Sequence, residues 1–353
     1  MEAASDRDQA ERSELSATSP RTHRTEKLAR IYDDEILPIW AQRFGRLMLR
    51  GLAIPPKATL LDASCMTGYL ALEIARRMDE QSRLVAIDSS STFLDIARKK
   101  AAELAGRRVF FRTERADPRL PFAAEVFDIV FSNLGLLDVP SPTRTLRDFT
   151  RVAKPGGLVL ATLPLAGSWQ EFTDLYREVL VKHDKGEILA RLDQWVATLP
   201  DASTVESWLL AAGLEDTRVE IEEFSLLFRS AREFFFAPVV EYGPLPGWKT
   251  IAGTGQELQD VFWHIKEAID AYFGGRAFQV TIRAGCLRGV RGPGAAAILA
   301  AAEDPEALVT GDVELMEDDA VDDGEEPAVT DILAPGAASE LDAFRDPDGS
   351  AEG

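Results

Sequence analysis

Two acidic residues lie at the ends of consecutive apolar stretches and are the first candidates for ligand binding. Asp62 lies in the apolar segment 58–63, and Asp88 ends the next apolar segment, 84–88. Asp88 also follows Gly68 by 20 residues. At that spacing a carboxylate on a second strand reaches the hydroxyls of a ribose bound beside the first strand. The two carboxylates therefore predict a nucleoside ligand, the alternative being that each only caps the helix that follows it.

The loop after Asp62 argues against other phosphate-bearing ligands. A dinucleotide-binding loop of the form Gly-x-Gly-x-x-Gly would need glycine at three positions that are Ser64, Met66 and Tyr69 in this chain. The chain also has no Gly-Lys-Ser/Thr phosphate loop. The sequence therefore disfavours NAD, FAD and a nucleoside triphosphate of the P-loop type.

The elements that must position the two carboxylates alternate between strands and helices. Strands are predicted at 58–63, 84–88, 108–112, 127–132 and 157–163, with helices at 69–78, 91–105 and 143–152. Two further segments, 217–228 and 277–287, show the period-2 pattern of half-exposed strands and are expected to pair at one sheet edge. The predicted fold class is α/β, with a Rossmann-like, seven-stranded, mostly parallel sheet covered by helices on both faces.

Helical segments flank this alternating part of the chain. Apolar residues recur at spacings of three and four over 28–52, and Pro38 predicts a break into two helices. Helical periodicity returns over 166–215 and 229–276, where aromatic residues are frequent, and the segment 243–249 between two of these helices is predicted as a loop. The aromatic residues allow two interpretations: they form a lid and substrate wall, or they fill a helical core.

The acidic charge of the protein is concentrated at its C-terminal end. The 353 residues include 59 acidic and 39 basic side chains, for a formal charge of −20, and 46% of the residues are hydrophobic. Of that charge, −17 falls on 303–353, which leaves −3 for the rest. We predict a disordered leader at 1–26, a folded domain at 27–290 and a disordered acidic tail at 295–353. The tail is either a solubilising appendage or a docking arm for a basic protein partner.

Composition also bears on location and partners. Two cysteines and three histidines (His23, His183 and His264) have no metal-ligand spacing and no disulfide framework, so we predict no metal site. The chain has no apolar run of membrane-spanning length and no apolar signal core at its N-terminus. These features predict a cytoplasmic protein that does not enter membranes, and an acidic chain is poorly suited to nucleic acid.

Five stretches together resemble the class I S-adenosylmethionine (SAM)-dependent methyltransferases. The loop at 60–69 is similar to the family's first motif, usually Asp-x-Gly-Cys-Gly-Thr-Gly, although two of its glycine positions are Ser64 and Met66. The other stretches, in the family's order, are 85–90, 116–122, 127–134 and 151–160. The region 228–244 is similar to methyltransferases that act on malonyl groups of carrier proteins in biotin synthesis. The resemblance implies a SAM-binding core at about 57–163, with the helical segments as substrate or lid elements.

The resemblance also implies a role for each polar position of the core. Asp88 would bind the ribose hydroxyls, Asp117 the adenine amino group and Asn133, through its backbone, the methionine end of SAM. Asp62 would orient the loop or approach the SAM amino group. The implied cofactor-binding residues are Asp62, Ser64, Gly68, Asp88, Asp117 and Asn133. In the family Ala116 and Asp117 stand in the reverse order, and Asp117 has the alternative of serving only a turn before Pro118.

The function that follows is in-line methyl transfer from SAM to a small-molecule or carrier-bound acceptor. No particular catalytic base is assigned, because a carboxylate or thiolate acceptor needs none, whereas a hydroxyl or ammonium acceptor would need a nearby His, Tyr, Asp or Glu. The isolated histidines have ordinary structural explanations. Ser64 and Met66 support an alternative of another class. In that alternative the methyltransferase fold has lost catalysis and serves as a binding or scaffold protein with the acidic tail as its docking arm.

Overall fold

The computed structural model describes residues 20–104, 106–137, 139–274 and 276–303. The predicted disordered leader at 1–26 lies mostly outside these residues, and so does the acidic tail from residue 304 onward. Within the part of the leader that is described, a helix already begins at Pro20.

A seven-stranded sheet organises the described residues. The strands are β1 (Thr59–Asp62), β2 (Arg83–Asp88), β3 (Arg108–Thr113), β4 (Phe127–Asn133), β5 (Ala153–Pro164), β6 (Leu214–Phe228) and β7 (Phe278–Arg291). Their order across the sheet is β3-β2-β1-β4-β5-β7-β6. The first five strands pair in parallel, whereas β7 runs antiparallel to β5. The predicted α/β class with a mostly parallel sheet is confirmed.

Helices connect these strands. In chain order they are α1 (Pro20–Ile31), α2 (Ala41–Leu49), α3 (Tyr69–Arg77), α4 (Ser91–Ala101), α5 (Pro142–Val152), α6 (Gln170–Lys182), α7 (Gly186–Thr198), α8 (Ala202–Ala211), α9 (Ala231–Phe236), α10 (Pro238–Glu241), α11 (Leu245–Ala252), α12 (Gly255–Phe273) and α13 (Ala295–Glu303). A π-helical turn, Tyr32–Ile36, follows α1, and the predicted break at Pro38 falls between it and α2.

The central strands are buried because helices cover both faces of the sheet. Leu60, Leu61 and Val130 are fully buried on β1 and β4. Such continuous apolar strands are typical of parallel sheets and differ from the alternating pattern of the edge strand β6. Two of the covering helices start at serine caps, because Ser90 and Ser141 each accept a backbone N–H from the first turn of α4 or α5.

Two segments differ from the sequence prediction. The predicted disordered tail began at residue 295, but 295–303 form helix α13. This segment is rich in alanine, the residue with the highest helix propensity, which favours a helix there. The segment 243–249, predicted as a loop, contributes to α11. Proline is tolerated in the first turn of a helix, where its missing N–H would have no partner, so Pro246 does not prevent this helix.

The described chain forms two compact units. The first comprises the chain up to Pro164, then Asp201–Glu222 and the chain from Ala284 onward, and the second comprises Leu165–Pro200 and Glu223–Arg283. Helix α8, which the sequence analysis grouped with the other helical elements of 166–215, belongs to the first unit. There the Arg147 guanidinium on α5 donates to the carbonyl of Ala211 at 3.2 Å. Among the described helices, we find none with the length and apolarity needed to cross a membrane.

Candidate functional site

The sheet order reverses between β1 and β4, and this position sets the location of the site. In an open α/β sheet, ligands bind beyond the carboxyl ends of the strands at such a reversal. Asp62 ends β1, Asp88 ends the neighbouring β2, and Asn133 ends β4. The three predicted site residues therefore share one edge of the sheet, as the alternation of strands and helices implied.

Asp62 is buried and only partly hydrogen-bonded. Its side chain is 1% exposed, and its Oδ1 accepts the backbone N–H of Ser64 at 3.2 Å. Its Oδ2 is buried and has no hydrogen-bond partner among the described residues. Burial raises the pKa of this carboxyl to about 8, with a smaller contribution from the nearby Asp88. A buried carboxyl oxygen without a partner is costly, which is expected where a ligand supplies the missing partner.

Asp88 holds the first loop against the second strand. Its Oδ2 accepts the N–H of Met66 and its Oδ1 accepts the N–H of Ser90, both at 2.9 Å. Burial raises the pKa of Asp88 even though these two bonds favour the ionised form. Each oxygen keeps a second lone pair, so the carboxylate still has acceptor capacity for a hydroxyl donor.

The backbone of the first loop adopts the geometry of a glycine loop at two positions. Gly68 has φ of +83°, and a Cβ added to it would lie 2.8 Å from the Cβ of Ala97 on α4. The requirement for glycine at this position therefore comes from close packing against α4 together with the positive φ. Met66 has φ of +48°, which is in the left-handed region that glycine adopts without strain. The loop backbone thus has a positive φ at both 66 and 68, although residue 66 is not glycine.

The loops after β1 and β4 lie in contact. A Cβ added to Gly135 would come within 2.5 Å of the Ser64 Cβ and 2.8 Å of the Ser64 Oγ. Gly135 is a residue that the sequence analysis did not select, although a glycine directly after a buried strand was the available signal. The half-buried side chain of Ser64 therefore lies between the first and fourth strand ends.

Asn133 uses its side chain within the fold. Its Nδ2 donates to the carbonyl of Ala41 at 3.1 Å, and its Oδ1 accepts the hydroxyl of Thr162 at 2.7 Å. These bonds connect the end of β4 to α2 and β5. This arrangement is compatible with the expectation that Asn133 meets a ligand through its backbone.

Asp117 lies in the loop between β3 and β4, where it is half-buried and precedes Pro118 through a cis peptide bond. This loop is held in place by Asp148 and Arg151 of α5. Neither residue could be predicted from the sequence, because both are about 30 positions away and contact the loop only in the folded chain.

The second unit contains most of the aromatic residues, and many are fully buried. Phe172 stacks on Trp248 with ring centroids 4.0 Å apart, and both are 0% exposed, as are Tyr176 and Phe234. For these four residues the interpretation as a helical core is confirmed.

His183 and His264 lie together in the second unit although 81 residues separate them in the sequence. Their rings stack with centroids 3.7 Å apart, and burial together with His264 lowers the pKa of His183. Within the described ranges we find no group of three or more His, Cys, Asp or Glu residues able to hold a metal ion.

Comparisons with known proteins agree with this architecture. Residues 60–157 match a family described as a methyltransferase domain. A demethylmenaquinone methyltransferase of Bacillus cereus strain ATCC 10987 / NRS 248 is 27% identical over 187 residues, which cover 50% of this chain and 77% of that protein. The corresponding protein of Bacillus anthracis strain A0248 gives the same identity and coverage.

Two solved structures align with 72% and 71% of this chain. The YcgJ protein of Bacillus subtilis aligns with a TM-score of 0.48 at 16% identity and covers 72% of this chain and all of that one. A phosphoethanolamine N-methyltransferase 2 of Haemonchus contortus in complex with S-adenosyl-L-methionine aligns with a TM-score of 0.42 at 17% identity, covering 71% of this chain and 52% of that one.

The sheet order and the acidic strand ends are those expected of an α/β domain that binds a nucleoside. The family match over 60–157 and the similarity to known methyltransferases support a class I SAM-dependent methyltransferase family for this domain. SAM is the cofactor expected for this family. The residues present fit it, because the unpartnered oxygen of Asp62 suits an ammonium group and the spare lone pairs of Asp88 suit ribose hydroxyls.

Proposed function

We propose that this protein is a SAM-dependent methyltransferase that acts on a small-molecule or carrier-bound acceptor. The observation that carries the proposal is the unpartnered, buried oxygen of Asp62 at the strand-order reversal, next to Asp88. The related proteins are named for the methylation of demethylmenaquinone, which supports an acceptor of small-molecule type.

Each predicted site residue has a role in this proposal. Asp88 accepts hydrogen bonds from the ribose hydroxyls and from the backbone of Met66. Asp62 accepts a hydrogen bond from the cofactor's amino group through its unpartnered oxygen. Gly68 and Ser64 shape the loop beside the methionine part. Asp117 accepts from the adenine amino group, and Asn133 contributes its backbone.

Bound SAM would supply a methyl group activated by its sulfonium. The contribution of this chain is to hold the donor and exclude water, because placing a nucleophile about 3 Å from the methyl carbon provides most of the catalysis in such displacements. An acceptor carboxylate or thiolate needs no base. For a hydroxyl or ammonium acceptor, a nearby carboxylate, tyrosine or histidine would be required.

A calorimetric titration with SAM tests the proposal. We expect the natural protein to bind SAM and Asp88→Ala to bind it at least tenfold more weakly through loss of the ribose contacts. Asp95→Ala is the matched control, because it removes the same charge from an exposed position on α4 and leaves the loop bonds intact. Equal affinity of Asp88→Ala and the natural protein would contradict the assignment of Asp88.

A second candidate function is supported by the first loop. The contact of Ser64 with Gly135 and the presence of Met66 at a glycine position favour a fold that has lost SAM binding and serves as a binding or scaffold protein. In that case the natural protein shows no binding, and Met66→Gly restores it. The acidic residues of the C-terminal segment would then provide a docking arm for a basic protein partner.

A further inference from the structure

Asp148 and Arg151 form a buried pair on α5 that holds the loop between β3 and β4. Their side chains are 10% and 12% exposed, and the Nε of Arg151 donates to the Oδ1 of Asp148. The Oδ2 of Asp148 accepts the backbone N–H of Leu120. The two terminal nitrogens of Arg151 donate to the carbonyls of Phe122, at 2.7 Å, and Leu120, at 3.1 Å. One ion pair thus engages three backbone groups of the loop.

The other end of the loop is tied to the second strand. The N–H of Glu114 donates to the backbone carbonyl of Asp88 at 3.0 Å. Only five residues, 115–119, separate this anchor from Leu120, and Asp117 is the middle one. A segment this short between two fixed ends has few conformations, so the pair restricts where Asp117 can lie.

We propose that Asp148 and Arg151 are positioning residues that make the cofactor site selective for adenine, acting through Asp117. This inference rests on the proposed function, because Asp117 recognises the base only if SAM binds. The pair itself lies on α5 and contacts the loop rather than the cofactor. Its effect is on which base is accepted, and the methyl-transfer chemistry does not depend on it.

The chemistry of arginine explains why this residue type is needed. The guanidinium has five donors in a rigid plane, and here three of its nitrogens reach one carboxylate and two carbonyls. Lysine at the same position would keep the charge but would present its donors from a single nitrogen. The substitution Asp148→Asn would in turn remove the charge that orients the guanidinium, although the amide oxygen of the new side chain would still reach the N–H of Leu120.

The test compares two nucleoside ligands by calorimetry. S-adenosylhomocysteine carries the adenine amino group, and S-inosylhomocysteine carries an oxygen in its place. We expect the natural protein to prefer the adenine ligand at least tenfold and Arg151→Lys and Asp148→Asn to reduce that preference at least fivefold. Arg147→Lys is the matched control on the same helix, because its guanidinium contacts Ala211 and not the loop. It should keep the full preference.

A double-mutant cycle identifies the route of the effect. If the pair acts through Asp117, then Asp117→Ala abolishes the preference and Arg151→Lys has no further effect on it in that background. Amide hydrogen exchange of Leu120 in the ligand-free protein gives an independent readout. Exchange should be at least tenfold faster in Asp148→Ala, which removes the acceptor of the Leu120 N–H, than in the natural protein.

The outcomes separate this inference from the proposed function. Loss of affinity for both ligands by the same factor, with the preference unchanged, would show that the pair only stabilises the fold and would overturn the inference. A natural protein that binds both ligands without preference would overturn it too, while SAM binding would stand. A natural protein that binds neither ligand would overturn the proposed function and the selectivity role together, and unchanged exchange at Leu120 would show that the pair does not hold the loop at all.

Discussion

The strand ends of the first unit and the aromatic core of the second unit are both buried, but they bury opposite chemistry. At the strand ends, Asp62 and Asp88 are enclosed with raised pKa values. In the second unit, Phe172, Phe234 and Trp248 are enclosed against one another. Burying a carboxyl lowers the stability of the fold, whereas burying an aromatic ring raises it. The difference supports the proposed ligand site at the strand ends and a stabilising role for the aromatic core.

The burial of these rings also resolves one question left open by the sequence. The fully buried aromatic residues of the second unit cannot form the surface of a substrate wall while they are packed in a core. Trp263 and Tyr272 remain 52% and 53% exposed. Any contribution of the second unit's aromatic residues to a lid would therefore come from exposed residues such as these.

The largest expected effect is on the aromatic core. Phe172→Ala should lower the free energy of unfolding by about 3 to 5 kcal/mol, because it leaves a cavity beside Trp248. Val181→Ala, at a 61% exposed position on the same helix, should cost less than about 0.5 kcal/mol. Denaturant titration measures both. A tenfold loss of SAM affinity in Phe172→Ala with unchanged stability would assign this residue to the site and break the comparison.

A smaller effect is expected at the glycine of the first loop. Gly68→Ala should lower the free energy of unfolding by about 2 to 3 kcal/mol, because the new methyl group meets Ala97 and the backbone has a positive φ. Gly106 has nearly the same φ but open space around it. Gly106→Ala should therefore lower the free energy of unfolding only through the backbone strain, by about 1 kcal/mol. Equal losses in the two variants would show that packing against α4 is not what requires glycine at 68.

The pH dependence of stability tests the buried carboxyl. The pKa of Asp62 is about 8 in the folded protein against a reference value of 3.8, so the folded state binds this proton more tightly. Stability from this group is therefore complete below about pH 4 and is lost as pH rises toward 8. Asp62→Asn keeps an acceptor for Ser64 and cannot ionise. Its unfolding free energy should exceed that of the natural protein, and by a clearly larger margin at pH 8 than at pH 5. A constant difference at both pH values would show that Asp62 does not titrate in this range.

The smallest effect is expected at Met66. Met66→Gly should change the free energy of unfolding by less than about 1 kcal/mol, because relief of the positive φ is offset by the greater freedom of glycine in the unfolded chain. Lys57 also has a positive φ but lies before the start of β1, at the opposite end of the strand from the site. Lys57→Gly should therefore change the free energy of unfolding by a similar amount. In calorimetry, only Met66→Gly should strengthen SAM binding or leave it unchanged. A loss of affinity would show that the methionine side chain contributes to the site.

Much of the fold was predictable because local periodicity reports burial. The apolar runs of β1, β2 and β4 and the helices between them could be located from the sequence, and with them Asp62 and Asp88 at the strand ends. Residues 295–303 were assigned to the tail because the charge beyond them dominated the composition. Helix α13 forms there because alanine favours helix and because Ala295 packs against Gly213, a contact that the sequence does not reveal.

The sequence by itself determined the class of fold, the pair of carboxylates and the resemblance in the first loop, since each depends on residue type and spacing within a short stretch. Only the tertiary structure decided which of these groups are left without partners. The oxygen of Asp62 lacks a partner because of which groups fold around it. Two further contacts join segments that are far apart in the chain: that between Ser64 and Gly135, and that between Arg151 and the loop of Asp117. Such contacts depend on how strands pair and helices pack, and local sequence patterns carry no record of that pairing.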